Sequence, residues 1–172
     1  MDLPPFDRLL DAHGEDVHRY LVAVVGRDEA ADCYQETVLA ALRAYPALRS
    51  AANLRGWLLS VAHSKAMDHH RRGGRSRLTD RDLPERADRV AGDVDAGVPD
   101  ASLWAAVRRL PEGQRAAVVH RFVLDLPYAD IGGVLGCTEA AARQRVRAGL
   151  ATLRRSLGEP APSCTRLAED PR

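Results

Sequence analysis

Apolar residues return every three or four positions along most of this chain, and nowhere do they alternate over a strand-length run. Phe6, Leu9, Leu10, His13, Val17, Tyr20, Leu21 and Val24 trace the first stripe, either one amphipathic helix or a pair broken near Gly14, ended by Gly26. Asp28 is placed to cap a second helix carrying Ala31, Tyr34, Val38, Leu42 and Tyr45, which Pro46 stops. Its outer side is a polar stripe of Asp32, Gln35, Glu36 and Arg43. A loop from Pro46 to Ala52 leads to Asn53, a cap for a third helix that buries Leu54, Trp57, Leu58 and Val61 and turns polar and basic from His63 to Arg72. From Gly73 to about Pro99 the pattern vanishes into glycine, arginine and aspartate, which predicts a flexible linker. It resumes with Leu103, Trp104, Val107 and Leu110, and again after Pro111 with Ala116, Val118, Val119, Phe122 and Val123. The pattern predicts an all-α chain without sheet: a helical domain over 4–72, a linker over 73–100, a second helical domain over 101–157, and a disordered tail over 158–172.

The densest local signals lie between Leu126 and Leu157. Pro127 suits the first turn of a helix, where its missing N–H costs nothing. Ile131, Val134 and Leu135 give that short helix one apolar face, Gly136 supplies a left-handed stop, and Thr138 caps the next start. Ala141, Ala142, Val146, Leu150 and Leu153 then recur at helical spacing. This is helix, tight turn, helix, and between Ala140 and Gly158 there are five arginines and no acid. The second helix is therefore a candidate for the major groove of DNA. Arg143, Gln144 and Arg147 share one side near its start; Arg pairs bidentately with guanine and Gln with adenine, each contact discriminating by about 1–3 kcal/mol. Arg145 lies on the opposite side, and Arg154 and Arg155 farther along, positions suited to phosphates or structural pairs.

Composition narrows the classes. An apolar share of 45% with only 5% aromatic residues fits small helical domains. The net charge of +1 conceals segregation: residues 1–48 carry −5, 49–72 carry +4, 73–101 carry −2, 102–158 carry +5 and 159–172 carry −1. Two basic stretches around an acidic one predict two contacts with a polyanion, and the acidic first segment predicts a protein partner. Cys33, Cys137 and Cys164 form no Cys-x-x-Cys pair, which argues against a disulfide framework or zinc site and for a reducing, cytoplasmic setting. Cys33 and Cys137 can serve as oxidant sensors or as small buried apolar groups, the latter the simpler role. No apolar run approaches the ~18–20 residues of a membrane span, and no basic-then-apolar export signal opens the chain. Asp68-His69-His70 spells a phosphoesterase signature, yet it closes a basic helix with no strands around it. His63, His69 and His70 lack the i, i+4 spacing with which a helix holds one ion. No nucleophile–base pair or phosphate-cradling glycine loop is apparent, so the expectation is a protein without catalysis, metal or cofactor.

Four motifs then stand out in combination: Asp32-Cys33-Tyr34-Gln35-Glu36-Thr37-Val38-Leu39; Asn53-Leu54-Arg55-Gly56-Trp57-Leu58-Leu59 with Asp68-His69-His70-Arg71-Arg72; Leu110-Pro111 with Gln114-Arg115; and Tyr128-Ala129-Asp130-Ile131 with Leu135-Gly136-Cys137-Thr138. In type, order and spacing they resemble the bacterial extracytoplasmic-function sigma factors of the sigma-70 family (group 4), the small RNA polymerase subunits that keep only sigma domains two and four. The resemblance covers roughly residues 6–72 and 102–157. It departs at Cys33, Lys65 and His70, where the family usually carries Leu, at Gly132-Gly133, which replaces better helix formers at roughly 1 kcal/mol each, and at Ala142 and Ala148.

The resemblance implies a promoter-specificity subunit. Asp32, Gln35, Glu36 and Thr37 match the helix that docks on the clamp of the polymerase's largest subunit. The loop from Arg49 to Asn53 and the helix after it match the part that traps the melted −10 element, with Ser50 and Asn53 toward a base and Arg49, Arg55, Lys65, Arg71 and Arg72 on phosphates. Asn53 serves equally as helix cap, as base reader, or as both, and Trp57 belongs to the core. Thr138, Arg143, Gln144, Arg147 and Arg154 match the part that reads the −35 element as duplex, in a domain held by the flap of the second subunit. An anti-sigma protein is implied as inhibitor. The alternative is a free-standing helix-turn-helix regulator acting without core polymerase.

Overall fold

The computed structural model describes residues 3–79 and 101–158. The helices are α1 (Phe6–Val25), α2 (Arg27–Ala44), α3 (Leu54–Thr79), α4 (Ala101–Arg109), α5 (Glu112–Phe122), α6 (Tyr128–Val134) and α7 (Glu139–Ser156), with a 3-10 turn at Tyr45–Ala47. All regular structure among the described residues is helical, as the apolar spacing predicts.

α1 runs unbroken through Gly14, which is buried where α2 approaches: a Cβ at Gly14 would lie 2.7 Å from the Tyr34 hydroxyl. Gly26, at φ 98°, ends α1 and is also the cap residue of α2. Asp28 is therefore not the cap; it sits in the first turn, where a carboxylate favours the positive end of the helix. The inner face of α2 is also turned from the expected one. Ala30, Cys33, Thr37 and Ala41 are buried, whereas Ala31 and Leu42 are exposed and Tyr34 and Val38 half-buried. Small side chains take the inside because α1 and α2 lie close, and Tyr34 reaches over Gly14 rather than between the helices. Tyr45 leaves α2 to pack its ring 5.2 Å from Phe6 and 5.9 Å from Trp57, its hydroxyl donating to the Pro4 carbonyl at 2.6 Å. Leu58, Leu59, Ala62, Ala66 and Met67 give α3 its buried face, with Leu54, Trp57 and Val61 packed at its margin.

α3 continues to Thr79, past the point at which the loss of apolar pattern predicts a linker. Propagating an existing helix adds one hydrogen bond per residue fixed, so it outlasts the pattern that nucleates it. The rest of that predicted linker, and the tail from 159 onward, lie outside the described residues.

In the second half, α5 and α7 cross closely enough that a Cβ on Gly149 would meet Val118 Cγ2 at 2.6 Å. Phe122, expected inside, is 60% exposed at the end of α5. The chain turns there through Asp125 at φ 49°, which sends Leu124 and Leu126 inward instead. The two halves do not stand apart. α1 packs on α4 and α5, α3 packs on α6, and the buried apolar residues of both halves form one contiguous core.

Candidate nucleic-acid and protein interfaces

The helix-turn-helix forms as its local signals dictate. Gly136 adopts φ 61°, the Cys137 amide closes the turn on the Gly132 carbonyl at 2.9 Å, and Thr138 Oγ1 accepts from the Ala141 amide at 3.2 Å. Gly132 is no weak point: a Cβ there would sit 2.7 Å from the Cys137 carbonyl oxygen, so only glycine permits the turn to close. Gly133 has open space around it.

Thr138, Glu139, Ala140, Arg143, Gln144 and Arg147 line one open concave face at the start of α7. Arg143 donates to Glu139 at 2.6 Å and lies over the Tyr128 ring, 4.9 Å from its centroid. That exposed i, i+4 pair is worth about 0.3–0.5 kcal/mol, less than the ~1–3 kcal/mol of a bidentate base contact, so Arg143 can exchange Glu139 for a guanine. Arg145, on the other side, is half-buried and donates to Cys137 Sγ at 3.4 Å. Arg154 is exposed farther along α7, while Arg155 bonds back to the Ala151 carbonyl and Thr152 hydroxyl.

The residues expected at a single strand divide into two groups on α3. At its start, Asn53 Oδ1 accepts from the Gly56 amide at 2.7 Å, Ser50 Oγ accepts from the Ala52 amide at 3.2 Å, and Arg49 is exposed. Asn53 is thus the cap, and its amide nitrogen faces Asp130 of α6 at 3.5 Å. Arg55 donates to Asp16 at 2.8 Å and to the Leu124 carbonyl at 3.0 Å. Both residues are held by the second half of the chain. Three to five turns on, Lys65, Arg71 and Arg72 gather with Glu36 and Asp68 around a second concave face. Along the helix axis the two groups are about 15–28 Å apart, at 1.5 Å per residue.

On α2, Asp32 and Gln35 are exposed and Glu36 half-exposed. Arg72 grips the Glu36 carboxylate through two bonds of 3.1 and 2.8 Å, which holds that carboxyl below the usual range. Thr37 has to leave the set: it is fully buried, with its hydroxyl donating to the Cys33 carbonyl at 2.7 Å. In its place the polar stripe carries two large apolar residues, Leu39 and Leu42, exposed by 51% and 49%, of which the apolar spacing predicts Leu42 to be inside. Leu39 follows Asp32 by two turns, the spacing that would have identified it. The Cys33 thiol is pushed up by burial first and by Glu36 next, which disfavours the reactive thiolate.

The Asp68-His69-His70 run does not converge. Asp68 pairs with Arg71 at 3.3 Å, His69 faces Glu29 at 3.4 Å and His70 faces Arg115 at 3.0 Å. No group of three metal-ligating side chains occurs among the described residues, and none of their helices is long and apolar enough to cross a membrane.

Two sequence families match, in this order: Sigma-70 region 2 over residues 9–76 and Sigma-70, region 4 over residues 100–153. The chain is 32% identical over 161 residues to the ECF RNA polymerase sigma factor SigE of Mycolicibacterium smegmatis, a match covering 88% of this chain and 61% of that protein. It is 32% identical over 143 residues to ECF RNA polymerase sigma factor SigC of Mycobacterium tuberculosis, covering 81% and 76%. The fold is similar to that of the sigma factor RpoE of Bartonella quintana, solved in complex with the anti-sigma factor NepR (TM-score 0.74, 18% identity, covering 89% of this chain and 96% of that one). It is also similar to CnrH, solved in complex with the cytosolic domain of CnrY (TM-score 0.64, 22% identity, 89% and 87%).

Proposed function

We propose that this chain, which belongs to the extracytoplasmic-function sigma factors of the sigma-70 family, directs promoter-specific transcription initiation by binding core RNA polymerase and recognising promoter DNA, with no catalysis of its own. The observation that carries this reading is the pairing, in one chain, of the two sigma regions with a basic, concave, exposed face on each. The α7 face reads the −35 element as duplex through Arg143, Gln144 and Arg147, with Thr138 at the helix start and Arg154 on the backbone. The start of α3, from Arg49 to Arg55, takes a melted −10 base, and Lys65, Arg71 and Arg72 follow the strand's phosphates. Extruding a base costs a few kcal/mol, which hydrogen bonds from Ser50 and Asn53 have to offset.

The α2 stripe of Asp32, Gln35 and Glu36, continued along the helix by Leu39 and Leu42, docks on the clamp of the largest polymerase subunit, and the second half rests on the flap of the second subunit. Exposed leucines in a polar rim are what a protein-docking surface requires and a merely solvated face does not. An anti-sigma protein, as in the RpoE complex, restrains the chain in the cytoplasm until it is needed. A free-standing regulator would leave the α2 stripe without a purpose.

The test is run-off transcription with purified core polymerase. The chain is expected to confer initiation at defined promoters while binding duplex weakly alone. Tight operator binding without polymerase, and no new start sites with it, would overturn the proposal.

A further inference from the structure

Where the two halves meet, the structure gathers a layer of histidines, one fully buried and two half-buried, that neither docking nor base reading uses. His120 of α5 is fully buried, its Nδ1 bonded to the Ala116 carbonyl at 2.7 Å and its Nε2 without a partner. Its ring lies 4.4 Å from that of Tyr20 on α1, also fully buried, whose hydroxyl bonds His63 Nδ1 of α3 at 2.8 Å. Beside them, Arg115 of α5 crosses to α3 and α1, reaching His70 Nε2 at 3.0 Å and the Val24 carbonyl at 2.9 Å.

We propose that this layer is a proton-sensitive latch: the halves stay docked while His63, His70 and His120 are neutral, and acidification parts them. At His70 and His120 the geometry requires neutrality. A guanidinium only donates, so His70 Nε2 must accept, and a proton on it would set two donors face to face. A proton on His120 Nε2 would be a buried charge with no acceptor. The Tyr20 hydroxyl can donate to or accept from His63 Nδ1, so burial rather than that bond disfavours a proton there.

The charged surroundings reinforce this. Toward the layer α1 presents Tyr20 and Asp16, the latter already held by Arg55; α3 presents Arg55 and His69; α4 presents Arg108; α5 presents Arg115 and Glu112; α7 presents Arg145. On the flanks, Glu29 of α2 faces His69 and Asp130 of α6 faces Asn53. Glu112 favours a protonated His63 or His70 and the Val24 carbonyl a protonated His70, against Arg145 and Arg115. Burial, the leading cause in all three, pushes His63 and His70 below the usual imidazole value and His120 down to about 4.

A group whose value is depressed by closure favours the closed form above its ordinary value and disfavours it progressively below. Closure is therefore fully favoured above about pH 6.5 and weakens as pH falls toward 4. His120 alone shifts the closing equilibrium about tenfold between pH 7.5 and 5.5, and His63 and His70 add in the same direction. Opening would release Asn53 from Asp130 and Arg55 from the Leu124 carbonyl. That consequence for DNA rests on the proposed −10 reading; the opening itself does not.

Single-molecule energy transfer between dyes on Ala31→Cys (α2) and Ala151→Cys (α7), in the full chain with its native cysteines replaced by alanine, reads the open fraction. The open-to-closed ratio is expected to rise at least tenfold from pH 7.5 to 5.5 with helical circular dichroism unchanged. His70→Gln, which keeps an acceptor for Arg115, and His120→Phe, which keeps the ring against Tyr20, should each flatten the rise. If His120→Phe fails to fold, His70→Gln and the unsubstituted chain carry the test. An unchanged ratio in the unsubstituted chain, or an equal rise in the substituted ones, would overturn the latch. Opening without any gain in binding to single-stranded −10 DNA would instead overturn the assignment of Asn53 and Arg55.

Discussion

The two halves of this chain present the residues proposed to meet DNA in opposite conditions. On α7, Gln144 and Arg147 stand clear and Arg143 is held by a surface pair with Glu139 and by the face of the Tyr128 ring. At the start of α3, Asn53 is engaged as a cap and faces Asp130, and Arg55 spans Asp16 and the Leu124 carbonyl. On the proposed assignment, the contrast separates a preformed reader from one that has to be released. Duplex DNA offers its major-groove edges without melting, so a preformed helix suffices for it. A single strand exists only after polymerase has opened the promoter, and its binding surface can remain covered until then.

The sharpest way to break this contrast is to strip the preformed reader. Arg143→Ala with Arg147→Ala would remove the two proposed base contacts, of ~1–3 kcal/mol each, so initiation from −35-dependent promoters should fall at least tenfold with the melting temperature unchanged. Equal loss on promoters lacking a −35 element would show that α7 does not read it. Next in size is the docking stripe. Leu39→Ser with Leu42→Ser should weaken binding to core polymerase by at least ~1 kcal/mol, the scale of an interface anchor, while exposed positions change stability by only about 0.5 kcal/mol. Titration of labelled chain against core polymerase measures the first, thermal melting the second.

The smallest effect compares two adjacent glycines. Gly133→Ala should stabilise the chain by roughly 0.5–1 kcal/mol, raising the melting temperature by ~1–4 °C. Gly132→Ala should lower it, because its Cβ would meet the Cys137 carbonyl oxygen. Identical shifts would mean that the turn closes differently.

The same contrast explains what the sequence made legible. The helix-turn-helix was readable because each of its signals is local: Pro127, Gly136 and Thr138 act within one turn of themselves. The side of α7 that carries Arg143, Gln144 and Arg147 follows from helical period alone, as does the withdrawal of Arg145. α2 was harder, since its inner face depends on how closely α1 comes at Gly14. That approach buries Thr37, exposes Leu42, and is invisible to a count of apolar spacings. Phe122 misled for a similar reason, because the turn at Asp125 decides which end residues point inward. The docking of the halves through Arg55, Arg115 and the histidines leaves no periodic trace, and sequence pattern predicts only two bodies on a tether.

The central claim is that one chain reads duplex with α7 and single strand with the start of α3 in the same polymerase complex. Photocrosslinking from Gln144 and from Ser50 in an open promoter complex tests it most directly. The account predicts that Gln144 joins the −35 duplex whether or not the promoter has melted, and that Ser50 joins the −10 strand only after melting. Crosslinks from both positions to one element, or from Ser50 to intact duplex, would contradict it.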